Sequence, residues 1–219
     1  MRTTYYKRFL PHIQPVGATF FVTTRLAGTL PKSILTKLRT DYKEKVALLK
    51  LTKPPNWKLE VYLEGKRYFK QYDDYLDQAN CTITYLKEPE VAKIVIEQLE
   101  RFNGEWYDLL AYCIVPNHIH LVVDLSIQIA PFALEQDILT MEYQQLTTIM
   151  KRIKGASGRY ANQFLGRTGQ AFWQPESYDH YTRNNNELRN VIQYTLQNPV
   201  KAKLVETWEV HPYTWSKFQ

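Results

Sequence analysis

The stretch Tyr112-Cys-Ile-Val-Pro-Asn-His-Ile-His-Leu-Val-Val-Asp124 decides the reading of this chain. Apolar and β-branched residues flank Pro116-Asn117, so the segment reads as two hairpin strands, near 106–112 and 119–125, with the turn just before the histidines. Residues two apart on a strand share a face, so His118 and His120 point one way while Ile119 points into the core. Two imidazoles side by side on a rigid strand make half of a divalent metal site. The plainer reading is a half-buried strand with two incidental histidines. Histidine is infrequent in apolar strands, and a pair in register is rarer, which favours the metal.

A second motif, Tyr194-Thr-Leu-Gln-Asn198-Pro199, lies at the end of a helical pattern that starts near Asn186. Residues four apart are neighbours on one helix face, so Tyr194 and Asn198 lie together. Asn198 offers a carbonyl oxygen able to complete a His-His-oxygen metal site, and Tyr194 a phenolic nucleophile one turn away. Pro199 disfavours helical geometry in the residue before it, which predicts that the helix ends at Asn198. Singly these residues are ordinary: the chain has 16 tyrosines, and Asn-Pro is a common helix-ending signal. Only the combination with the two histidines argues for chemistry.

Several ordered blocks carry a resemblance. They are Pro-Asn-His-Ile-His-Leu-Val (116–122), Phe-Trp-Gln-Pro-Glu-Ser-Tyr-Asp-His-Tyr-Thr-Arg (172–183), Glu-Leu-Arg (187–189), Tyr194, and Asn-Pro-Val-Lys-Ala-Lys-Leu-Val (198–205). The amino-terminal run Arg8 to Arg25 belongs with them. Together they resemble the REP-associated tyrosine transposases, within the single-tyrosine His-hydrophobe-His (HUH) endonucleases and IS200-like transposases. The resemblance implies that His118 and His120 are metal ligands, Asn198 the third ligand and Tyr194 the nucleophile. It also implies a repeated palindromic DNA element, folded as a hairpin, as the substrate. Residues 48–88 match no part of a minimal member of that superfamily.

Composition agrees with this without being able to produce it. A chain of 219 residues is long enough for a real core and suits one domain, or one with an insertion. The expectation is a single HUH transposase-like domain over 1–219 with an insertion at about 48–88. No apolar stretch approaches the roughly 18–20 residues needed to cross a membrane. The start, Met-Arg-Thr-Thr-Tyr-Tyr-Lys-Arg, lacks an apolar core, so no signal peptide and a cytoplasmic location are expected. Cys81 and Cys113 build neither a disulfide framework nor a structural zinc site.

Charge distribution says more than the net value of +6. Between Arg101 and Lys151 there is no Lys or Arg, while six acids fall there: Glu105, Asp108, Asp124, Glu135, Asp137 and Glu142. The compensating cations include Lys151, Arg152, Lys154, Arg159 and Arg167, joined by Arg183, Arg189, Lys201 and Lys203. A clustered excess of this kind is the usual footprint of a polyanion, although solvated basic faces are also common. Trp173, Tyr178 and Tyr181 are candidates to stack unpaired bases, with core packing an equal reading for Trp173.

In order along the chain, a strand is predicted over 18–26, a helix over 31–49, and a polar, Tyr-rich segment with short strand-like and helical pieces over 57–85. A helix over 89–102, the histidine hairpin, a loop at 126–139, a helix at about 140–164, an extended segment near 172–183 and the Tyr194 helix follow. This order fits an α+β, ferredoxin-like (RRM-like) fold: a four-stranded antiparallel sheet with helices on one face, plus an insertion after the first helix. No second domain boundary is visible.

The chemistry follows from the residue types. Tyrosinate, with a phenol pKa near about 10, is a modest nucleophile but a better leaving group than an alkoxide. Its phosphodiester keeps most of the bond energy, so a 3′-hydroxyl reseals the strand without ATP. A divalent ion on His118, His120 and Asn198 would polarise the phosphate; Mg²⁺ or Mn²⁺ is expected, and the set also accepts Zn²⁺ or Ni²⁺. The expected function is a metal-dependent single-strand DNA endonuclease and strand transferase that forms a 5′-phosphotyrosine, as a monomer or homodimer. The alternative is a domesticated, non-catalytic protein that binds and regulates a nucleic-acid hairpin.

Overall fold

The computed structural model describes residues 3–7, 11–78, 82–129 and 143–218. Cys81 and most of the loop read at 126–139 lie outside the described residues. In chain order come β1 (Thr3–Lys7), β2 (Pro11–Pro15), β3 (Thr19–Arg25), α1 (Lys32–Thr52), α2 (Trp57–Gln78) and α3 (Pro89–Glu100). Then follow β4 (Asp108–Val115), β5 (His118–Asp124), α4 (Leu146–Phe164), β6 (Tyr178–Tyr181), α5 (Asn185–Lys201) and β7 (Thr214–Ser216). By their contacts they divide into two units, Met1–Ala27 with Thr84–Gln219, and Gly28–Ile83.

The first unit is built on an antiparallel sheet in the order β6-β3-β5-β4-β7. Its β3-α3-β4-β5-α4-β6 path, with β6 beside β3 and β5 between β3 and β4, is the ferredoxin-like arrangement. The short β7 adds a fifth strand. It pairs with the outer edge of β4, Trp215 stacks on Tyr112 with ring centroids 5.9 Å apart, and the Lys217 amide donates to Leu110 O. The carboxyl-terminal segment therefore closes a sheet edge that would otherwise present open backbone groups.

Strand alternation sorts the sheet into two faces. Phe21, Thr23 and Arg25 lie opposite Val122, His120 and His118, and Cys113 and Val115 lie opposite His120 and His118 on the other side. That face is covered by α5, whose Tyr194 ring meets Phe21 and His120. The other face carries Phe20, Val22, Ile119 and Leu121, all buried. There Val22 lines a cleft of about 330 Å³ with Leu146 and Met150 of α4, and α4 packs on α3. The two ferredoxin helices thus share one face, as the sequence suggests, and α5 is an added helix on the opposite one.

The helix carrying Tyr194 and Asn198 runs on to Lys201 with Pro199 inside it, rather than ending at Asn198. Only two residues of α5 follow the proline, so one missing N–H near the end costs little of the ladder. At its start Asn184 caps the helix: its side chain accepts from Glu187 N at 2.9 Å, while Glu187 Oε2 accepts from Arg183 N at 3.0 Å. The pair resembles a capping box, with Glu187 reaching the amide one residue before the cap. Glu187 Oε1 also pairs with His180 Nε2 of β6 at 2.8 Å, tying the helix to the sheet edge.

The second unit is a helical hairpin, α1 and α2 joined at Pro54-Pro55. Lys53 (φ 42°) and Asn56 (φ 61°) take left-handed conformations on either side of the prolines. Tyr42, Tyr68 and Tyr72 form an aromatic ladder with centroid spacings of 5.3 and 6.3 Å. Two corrections follow. The segment 57–85 holds one long helix, not short mixed pieces, because its tyrosines recur at helical spacing and pack along one stripe. The extra unit begins at Gly28 rather than near residue 48, so the helix over 31–49 belongs to it, and the crossover helix of the ferredoxin core is α3.

Sequence reading also missed the β1–β2 hairpin, whose His12 is buried and pairs with Asp179 of β6 and, at 3.9 Å, with Glu176. Burial opposes charge on His12. The hydrogen bonds and negative charges of Asp179 and Glu176 more than offset it and push the pKa up to about 9. A raised folded pKa adds stability that is whole below the ordinary value of 6.5 and lost as pH climbs toward 9. Melting temperature between pH 6.5 and 9 should therefore fall in the wild type and fall less in His12→Gln; parallel curves would show that this pair adds no pH dependence.

Candidate metal and tyrosine site

The two histidines of β5 are fully buried, and their rings stand edge to face with centroids 4.7 Å apart. Each has its Nδ1 engaged: His118 Nδ1 lies 2.6 Å from Asn117 Oδ1, and His120 Nδ1 lies 2.8 Å from Thr23 Oγ1. Asn117 Oδ1 only accepts, so Nδ1 of His118 carries the proton and Nε2 keeps a lone pair. Thr23 Oγ1 holds the His120 ring from the neighbouring strand. The two Nε2 atoms face one another at 3.0 Å.

That separation is a hydrogen-bonding distance, and it also fits two adjacent ligands of one octahedral ion, since bonds of about 2.1 Å at a right angle put donor atoms about 3 Å apart. Asn198 passes a second test. Its side chain is buried, and among the described residues neither Oδ1 nor Nδ2 has a hydrogen-bond partner. A buried amide left so costs about 1–3 kcal/mol for each unsatisfied group. An oxygen donor of this kind, with two imidazole nitrogens, suits a divalent cation.

Tyr194 is half-buried on the same helix, one turn before Asn198. Its ring stands edge-on to His120 at 5.6 Å and to Phe21 at 5.7 Å, and Lys201 Nζ lies 5.5 Å from its centroid. Phe21 also stacks on His120 at 5.6 Å and meets Tyr178 edge-on at 6.3 Å. The structure thus brings His118, His120 and Tyr194 together within one chain, sets Asn198 under the same helix, and keeps Tyr178 on the same face. Thr23, Phe21 and buried Arg25, which lies opposite His118, were not singled out in the sequence. Cross-strand register with the histidines was the signal that would have found Thr23 and Arg25.

The remaining candidates scatter. Lys151, Arg152 and Arg159 are exposed on α4. Lys154 is committed to the protein, donating to Gln174 O, Pro175 O and Ser177 Oγ at 2.7–3.0 Å. Arg167 lies 4.0 Å over Tyr85 and donates to Gln170 Oε1, and Arg189 donates to Asn186 Oδ1. Arg183 lies 4.6 Å over Tyr181 and pairs with Glu187 at 3.9 Å. Trp173 corrects the base-stacking reading: it is buried, stands edge-on to Phe172, and donates from Nε1 to Ser157 Oγ at 2.9 Å. Gly158 makes room, since a Cβ there would lie 3.2 Å from Phe172 Cβ.

An antiparallel ferredoxin-like sheet with a His-hydrophobe-His strand under a tyrosine-bearing helix is the arrangement expected of single-tyrosine HUH proteins. No family model matches the chain. A Haemophilus influenzae protein described as a REP-associated tyrosine transposase is 27% identical over 109 residues, which are 49% of this chain and 58% of that protein. The chain thus spans little more than half of that relative's length. A solved REP-associated tyrosine transposase bound to a REP hairpin aligns over 96% of this chain and 81% of its own, with a TM-score of 0.48 and 16% identity. The chain resembles the REP-associated tyrosine transposases in its motif blocks and in the H. influenzae relative. Among the described residues, no helix is long and apolar enough to cross a membrane.

Trp173→Ala tests the structural assignment of that residue. Removing a buried indole should lower unfolding free energy by about 3–5 kcal/mol, read from urea melts. A change under 1 kcal/mol would return Trp173 to the list of exposed, base-stacking candidates.

Proposed function

We propose that this protein is a transposase-like single-strand DNA endonuclease and strand transferase that acts beside a DNA hairpin. The observation that carries the reading is Tyr194, held against His120 while His120 and His118 turn their Nε2 atoms toward each other at 3.0 Å. The similar H. influenzae protein is described as a tyrosine transposase, and the hairpin in the aligned structure names a DNA form to test.

In the proposed reaction Tyr194 Oη attacks the scissile phosphorus and gives up its proton to solvent. The bond from phosphorus to the 3′-oxygen breaks, that oxygen leaves and takes up a proton, and the 5′-phosphate stays on Tyr194 as a phosphodiester. Attack by a 3′-hydroxyl on this linkage reverses the exchange and joins strands with no outside energy source. A divalent cation, Mg²⁺ or Mn²⁺, bound by His118, His120 and Asn198 would supply the positive charge that polarises the phosphate. Asn117 and Thr23 hold the imidazoles by Nδ1, which would orient both Nε2 atoms toward the ion. Lys201 adds a cation beside the tyrosine, where a phosphate has to approach. Tyr178 faces the same side and offers a ring for an unpaired base.

The test mixes protein with Mn²⁺ and a labelled DNA hairpin bearing a single-stranded tail, taken from repeats flanking the gene. A covalent adduct on a denaturing gel is expected, lost with a chelator and absent in Tyr194→Phe. Adduct or cleavage persisting in Tyr194→Phe would give the attack to water instead; tight binding with neither would favour the regulatory hairpin binder. Thr23→Val should weaken Mn²⁺ binding about 10–100-fold by calorimetry, and an unchanged affinity would remove Thr23 from the supporting set.

A further inference from the structure

The cation-free window between Arg101 and Lys151 ends at both sides in the same groove. Arg101 closes α3, Lys151 and Arg152 lie on α4, and the two helices pack together on the sheet face opposite Tyr194. Between them runs an open groove of about 500 Å³ lined by these three cations, with Phe102, Thr148 and Gly155 among its walls. Among the described residues no carboxylate lines it. All three cations are exposed, and among the described residues none forms an ion pair, whereas Lys45, Arg67, Arg183 and Lys217 all do.

Two of the cations are also held in place. Phe102 and Trp106 stack face to face, 3.8 Å between centroids and 2° from parallel. The Arg101 guanidinium lies 5.5 Å from the phenyl centroid and that of Arg152 lies 5.2 Å from the indole. A guanidinium resting on a ring keeps its N–H edges available while losing rotamer freedom before any ligand arrives, which lowers the cost of binding. Gly155 leaves the groove open: a Cβ there would have nothing within 4 Å.

We propose that this α3–α4 groove is a second DNA contact that grips backbone phosphates of the double-stranded hairpin stem. Rigid guanidiniums that pair with no anion among the described residues match phosphate oxygens. The stem is favoured over an unpaired strand because the rings here are already stacked on one another and on the guanidiniums, leaving no free face for an extruded base. This rests on the proposal that the protein acts on hairpin DNA, and it adds a site on the face away from the chemistry.

The test is fluorescence anisotropy with a labelled hairpin, a blunt duplex of the same stem and an unpaired strand of equal length, over a range of salt. Arg101→Ala/Arg152→Ala should weaken hairpin and duplex binding at least about tenfold and lower the slope of log affinity against log salt by about 2. The unpaired strand should change far less. Gly155→Glu, at an open helical position, should reproduce the loss by adding a carboxylate, and Gly155→Gln should not; thermal melts confirm that each variant folds. Unchanged affinity and slope in both Arg101→Ala/Arg152→Ala and Gly155→Glu, or an equal loss on the unpaired strand, would overturn the proposal. Adduct formation by the wild type is scored separately, so an inactive protein that still binds stems through this groove defeats the nuclease reading alone.

Discussion

Two imidazole nitrogens face one another at 3.0 Å in the buried middle of a sheet, each ring having its other nitrogen engaged. At that distance the two nitrogens can share a proton, or, on the proposed reading, a cation between them. Much of the first unit bears on this constraint. β3 supplies Thr23 to one ring, the turn before β5 supplies Asn117 to the other, and Asn117 O also accepts from Leu26 N at 2.9 Å, fixing the turn to the neighbouring strand. A one-residue slip of β5 would carry both histidines to the opposite face, against α3 and α4. Ile119 and Leu121, fully packed on that face, oppose such a slip.

The sheet thus separates two kinds of work. One face holds the polar residues under α5, where the side-chain amide of buried Asn198 has no hydrogen-bond partner among the described residues. The other is an ordinary apolar interface, with the sheet's Phe20, Val22 and Ile119 opposite helix residues such as Val95 and Ile153. The cap at Asn184 and Glu187, with its tie to His180, sets where α5 starts, and the helical repeat then sets where Tyr194 arrives.

The histidine strand and the tyrosine helix were legible because each rests on a short period: two residues in a strand, four in a helix. The ferredoxin order was legible for the same reason. What stayed hidden depends on contacts across long separations. The partnership of His12 with Asp179 spans 167 positions, and a lone histidine in a terminal segment gives no local sign of it. Trp173 stayed open between base stacking and the core because aromatic content says nothing of burial; Ser157, which holds it in the core beside Gly158, lies 16 positions away. Among the basic residues the sequence placed Lys151 and Arg152 with Lys154, yet three protein acceptors hold Lys154, and the cation that joins the other two is Arg101, at the far end of the cation-free window.

The position of α5 over its own chain's histidines has a kinetic meaning. On the proposed reading, nucleophile and metal-binding imidazoles belong to one copy, so each molecule carries a whole reaction centre. Turnover per molecule would then be indifferent to dilution, and mixing a copy lacking the tyrosine with a copy lacking the histidines would regenerate nothing. On that reading a single copy would cut one strand wherever it lands, and any pairing of two cuts would have to be arranged by the DNA.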